Sequence, residues 1–104
     1  MNKRKTQLLT FRKTVAVAGT QEALSASHIL CKSIVVQALE TNVSSSVLVG
    51  DSNVDFVTNR GIEATSLNAV TFEDAYLDEV YVDVGTAADG VSVTYQKYLH
   101  VTRS

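Results

Sequence analysis

The chain is predicted to be all-β, a small antiparallel β-sandwich or jelly-roll-like domain with an extended N-terminal arm. Three observations carry that reading. Apolar and polar residues alternate with a period of two in several runs, turn residues recur roughly every 8–12 positions, and helix signals are thin. Such alternation is what a half-covered sheet demands, because successive side chains of a strand point to opposite faces.

The elements follow in order. Residues 1–14, MNKRKTQLLTFRKT, read as a basic extended arm ahead of a sandwich domain at 15–104. In "FRKTVAV", Phe11, Val15 and Val17 share a face, and Lys13 interrupts it. "TQEALSASHIL" can open a short helix with Thr20 as cap, but it lacks length and a clear apolar stripe. "ILCKSIVVQAL" is continuously apolar and predicts a central strand covered on both faces. "VLVG" is a short strand running into a polar loop at Asp51, Ser52 and Asn53. "AVTFE" sets Val70 and Phe72 together, and an acidic loop follows. In "DEVYVDV", Val80, Val82 and Val84 face one way while Glu79, Tyr81 and Asp83 face the other, giving a polar, exposed acidic side. "GVSVTYQ" alternates Val91, Val93 and Tyr95 with Ser92, Thr94 and Gln96. Asp89-Gly90 between these two runs predicts a hairpin, since both residues tolerate the positive φ of a tight turn. Seven or eight short strands result. The chain contains no proline, so its edge strands need protection from charge, bulges or a partner chain.

Bulk properties bound the function. At 104 residues the chain makes one domain with one modest core. An apolar fraction of 45% and a charged fraction of 19% are those of a folded chain. No apolar run approaches membrane-spanning length, and the N-terminal residues lack the apolar stretch of a secretory signal, which points to synthesis in a cytosol. Charge is unevenly placed: residues 1–13 carry +5 and the remainder −7, for a net −2. A basic arm on an acidic body suggests that the arm reaches an acidic surface elsewhere. Nucleic acid is disfavoured as that surface, because the body has no basic stripe. A neighbouring protein fits better, since an added strand contributes backbone hydrogen bonds along an exposed edge. The residues expected to bind that partner are Lys3, Arg4, Lys5, Leu8, Leu9, Phe11, Arg12 and Lys13.

Candidate chemistry is sparse. Asp51, Asn53 and Asp55 have the opening spacing of a calcium loop, but Phe56 and Ile62 stand where an EF-hand needs glycine and glutamate. Asp51, Ser52 and Asn53 read instead as a turn bonding its own backbone. Cys31, the single cysteine, reads as a small buried apolar residue. His28 and His100 lack companions at metal-ligand spacing. Nucleophile elbows and phosphate-binding glycine loops are absent. No catalytic residue, cofactor or metal ligand is assigned, and an enzyme is not expected.

The segments "CKSIVVQALETN", "VLVGDSNV", "RGIEA", "AVTFE" and "EVYVDVGTAADGVSVTY", in that order, resemble small β-sandwich virion structural proteins of tailed bacteriophages, of the capsid decoration or cement type. The resemblance runs from residue 15 to about 96 and rests on turn glycines and strand valines. It implies a sandwich or jelly roll, no cofactor and no catalytic residues. The implied role is a non-enzymatic cement protein on the capsid surface, made in the host cytoplasm and binding the major capsid protein or another virion protein. A homo-oligomer, dimer or trimer, is expected. Alternatives are a tail, head-completion or fibre-base component, or a calcium- or carbohydrate-binding sandwich for host adsorption. The arm and the tail "KYLHVTRS" lie outside the match.

Overall fold

The computed structural model describes residues 5–44 and 46–99. Lys3, Arg4, Ser45 and His100 lie outside these residues. The described residues form eight strands, β1 (Thr6–Thr14), β2 (Glu22–Ala23), β3 (Leu30–Ala38), β4 (Ser46–Gly50), β5 (Ile62–Thr65), β6 (Val70–Tyr76), β7 (Tyr81–Val84) and β8 (Gly90–Tyr98), with a 3-10 turn at Leu77–Glu79. They form two antiparallel four-stranded sheets in the orders β1-β8-β3-β6 and β2-β7-β4-β5. Only β4 and β5, among strands adjacent in sequence, pair with each other; every other connection crosses between sheets. This is the jelly-roll arrangement of an eight-stranded double sheet, and the all-β expectation is met.

The core lies where the valine alternation places it. Ile34, Val36, Val91 and Val93 from the first sheet meet Val47, Val49, Val82 and Val84 from the second, all fully buried. Phe11, Phe72 and Tyr95 pack at its margin. Cys31 is buried in the same cluster, and desolvation pushes its thiol pKa up.

Four expectations need correction. Asp89-Gly90 is not a hairpin, because β7 and β8 belong to different sheets. The positive φ there is held by Ala88. Gly90 is required for another reason: a Cβ on it would sit 2.2 Å from the Lys13 carbonyl oxygen, where β1 runs beside β8 with Thr14 opposite Gly90. Second, β3 is central but covered on one face only; Lys32 and Gln37 are exposed on the other. Third, residues 20–30, where a short helix could open, hold the two-residue strand β2 instead, and Leu24 is buried in the core. Fourth, Asp83 is not an exposed acid, and neither is the turn residue Asp89. They are 0% and 4% exposed.

Both aspartates organise loops. Asp83 points to the outer side of the second sheet, where the β4–β5 loop folds back over it. Its Oδ1 accepts from Gly19 N–H at 3.0 Å, and from its neighbour Val84 N–H at 2.8 Å. Its Oδ2 accepts from Phe56 N–H at 2.8 Å. Leu48, also on that side, is buried as a result. Asp89 accepts from Val43 and Ser44 N–H groups, each at 2.8 Å. Carboxylates suit these places because they are acceptor-only and bond backbone donors strongly.

Candidate functional site

The expected arm is extended, and its residues Thr6–Thr14 pair along their full length with β8, from Thr6 opposite Tyr98 to Thr14 opposite Gly90. β1 is an edge strand: among the described residues only β8 pairs with it. The Lys5 carbonyl accepts from Leu99 N–H, and Val15 exchanges bonds with Asp89 and Ala88. Odd-numbered residues therefore turn their backbone groups toward β8. Antiparallel alternation then directs the N–H and C=O groups of Thr6, Leu8, Thr10, Arg12 and Thr14 outward, away from the sheet.

Side chains divide by the same period. Phe11 lies on the inner face, edge-on to Tyr95 with ring centroids 5.7 Å apart. Leu9 is half-buried on that face. Lys13 also points inward, where its Nζ donates to Glu22 Oε1 at 2.7 Å, tying β1 to β2 across the sandwich. The bonds from Lys13 and from Ala16 N–H hold the Glu22 carboxyl below the usual range. On the outer face Leu8 is 66% exposed, and Thr10, Arg12 and Thr14 are exposed beside it. Of the predicted partner-binding residues, Leu8 and Arg12 thus form an accessible surface, with Lys5 exposed at one end of it. Leu9, Phe11 and Lys13 serve the fold, and Lys3 and Arg4 fall outside the described residues.

The other edges differ in kind. β2 and β5 span two and four residues. β6 carries Asp74 in the left-handed region at φ 52°, which breaks the regular edge a pairing strand would need. Among the described residues β1 is the long, regular edge, with nine residues.

The loop at Asp51–Asp55 behaves as its turn chemistry predicts. Asp51 Oδ1 accepts from Asn53 N–H at 2.9 Å. Asp55 Oδ1 accepts from Val57 and Thr58 N–H groups, and these bonds lower the Asp55 pKa. Near this loop a cleft of about 470 Å³ opens, with Val54, Phe72, Ala75 and Val80 as apolar lining and Asp51 and Glu79 as its charged residues. His28 stacks on Tyr76 at 3.8 Å and contacts Asp78 at 2.9 Å. Among the described residues no group of three or more His, Cys, Asp or Glu side chains converges as a metal site would.

Sequence reasoning missed Glu22 as the partner that neutralises Lys13. The available signal was Lys13 itself, a cation at an inward position of an alternating run, which requires a buried or bridging acid. Comparison with family models, with curated proteins and with solved structures finds no match.

Proposed function

We propose that this protein is a non-enzymatic structural component of a bacteriophage virion, a capsid decoration or cement protein that bridges neighbouring capsid subunits. The observation that carries the reading is the open edge of β1, where Leu8 and Arg12 are exposed and five consecutive outward backbone pairs are available. A strand edge of that length is a surface for binding another protein, since main-chain bonds supply affinity and side chains supply register. The jelly-roll order is compatible by analogy, being common in viral capsid domains. The basic charge of residues 1–13 against an acidic body favours docking of this end on an acidic neighbour.

Deleting residues 1–14 is not a usable test, because it removes β1 and uncovers β8. Point variants on the exposed side serve instead. Purified wild-type protein, Lys5→Glu and Arg12→Glu are each mixed with capsids lacking the protein, and bound copies are counted after sedimentation. Saturable binding at a stoichiometry matched to capsid symmetry, weakened in both variants, is the expected result. Absence of binding to heads overturns the reading, as does binding indifferent to both substitutions.

A further inference from the structure

We propose that the open edge of β1 takes a second copy of this chain, antiparallel, about a two-fold axis at Thr10. The inference rests on reading that edge as a protein-binding surface and assigns it to a second copy in a stated register, which leaves the exposed basic end at Lys5 to meet the capsid. Pairing Thr10 with Thr10 of the second copy sets Leu8 opposite Arg12 and Thr6 opposite Thr14. All five outward N–H and C=O pairs, at Thr6, Leu8, Thr10, Arg12 and Thr14, then find partners. The two first sheets become one continuous eight-stranded sheet.

Charge selects this register. Arg12 and Lys13 are the cations of β1 itself, and Lys5 lies just before it. Parallel pairing in register would set Arg12 beside Arg12. An antiparallel register with Leu9 on the axis opposes Lys13 to Lys5, and one with Arg12 on the axis opposes Arg12 to itself. A register centred on Phe11 avoids direct opposition but leaves the two Arg12 side chains about 7 Å apart along the strands and Thr6 unpaired. With Thr10 on the axis they stand about 13 Å apart, beyond the Debye length of about 8–10 Å at physiological salt.

Side chains agree with the charges. On the outer face the 66%-exposed Leu8 comes to lie beside the aliphatic stem of Arg12 from the second copy, which covers apolar surface while its head stays in water. The two Thr10 side chains form a Thr–Thr cross-strand pair, a favourable combination. On the inner face Leu9 meets Phe11 of the other copy, extending the apolar margin of each core. Lys13 opposes Gln7 and is neutralised by Glu22 of its own copy, which offsets its diagonal approach to Lys5 of the other copy at about 7 Å.

The test reads self-association of the full chain in solution, without capsids, by sedimentation equilibrium. Wild-type protein is compared with Thr10→Lys, Thr10→Glu and an equimolar mixture of the two. The side chain of Thr10 is exposed on the outer face, so each variant is expected to keep the wild-type circular dichroism and melting temperature. A concentration-dependent dimer is expected for the wild type. Like charges facing across the axis weaken it roughly five- to tenfold in either variant, less at high salt. The mixture recovers association as a heterodimer, because lysine then faces glutamate. A wild-type chain that stays monomeric overturns the proposal. So does a dimer insensitive to Thr10→Lys and Thr10→Glu, or a mixture that recovers nothing. If the dimer is present but capsid binding is absent, the cement reading fails and the dimer stands.

Discussion

Asp83→Ala is the substitution for which the structure sets the largest expectation outside the apolar core. Asp83 is fully buried and accepts backbone N–H groups from two distant loops, at Gly19 and Phe56, besides its neighbour Val84. Alanine leaves both distant donors without their acceptor and uncovers the side chain of Leu48. A hydrogen bond to a charged group contributes about 1.5–3 kcal/mol, so losing two costs roughly 3–6 kcal/mol. A domain of this size has about 5–15 kcal/mol in total, so the loss is a large share. With a urea slope of about 1.5 kcal/mol/M, the unfolding midpoint falls by about 2 M or more. Asp83→Asn separates the causes. One carboxamide oxygen can keep the Gly19 and Val84 bonds, but its NH2 then faces Phe56 N–H, donor against donor. Asn is therefore expected to cost less than Ala and more than nothing. Equal midpoints for wild type and Asp83→Ala would refute the reasoning, because they would mean that the two loops do not depend on this carboxylate.

The remaining predictions concern the frame around β1. Gly90→Ala must push β1 away from β8, since its Cβ would lie 2.2 Å from the Lys13 carbonyl oxygen and 2.8 Å from Thr14 Cα; a loss of about 2 kcal/mol or more in urea unfolding is expected, and an unchanged midpoint would contradict the close approach. The depressed Glu22 pKa means that the unfolded state binds this proton more tightly, so the stabilisation is present above the unfolded value near 4.3 and fades as pH falls below it. Because the pair is partly exposed, its contribution is about 0.2–1 kcal/mol; Glu22→Gln should flatten that part of the stability–pH curve, and identical curves would count against the bridge. Cys31 is buried, with its thiol pKa raised, so a thiol reagent at pH 8 should modify the folded protein only as fast as it opens, while urea-unfolded protein reacts at once. Rapid modification under native conditions would place the thiol outside the core.

How much of this was legible depends on which interactions are local. Val91, Val93, Val82 and Val84 sit inward as their alternation requires, because strand side-chain direction depends on parity alone. The Asp51 turn was equally readable, since its bond reaches only two residues along the chain. The failures are non-local. Asp83 reads as a solvent-facing acid by parity, and it does face outward, yet the β4–β5 loop returns over it. Asp89-Gly90 has the chemistry of a hairpin, but which sheet β8 joins is decided by its pairing with β1 and β3, far off in sequence. At the candidate site, the strand character of residues 6–14 was visible. Their attachment to β8 was not; parity put Lys13 on the inner face with Phe11, but nothing local named Glu22 as the acid that meets it there.

The antiparallel pairing about Thr10 has a consequence for bridging. It places the two Lys5 residues at opposite ends of the joined strands, ten residue steps or about 33 Å apart. A single chain offers one basic end to an acidic neighbour, whereas the pair offers two at a fixed spacing. The second attachment is then intramolecular, which multiplies affinity without any new contact. Cementing requires this property, because a protein that holds one subunit at one point cannot resist the separation of two. The two levels come apart experimentally. Lys5→Glu weakens each attachment without weakening self-association, since residue 5 lies opposite Val15 and diagonal to the cation Lys13, which an acid does not repel. Thr10→Lys leaves each attachment intact and halves the number made at once. Capsid affinity should fall in both, but only Thr10→Lys should regain it on mixing with Thr10→Glu.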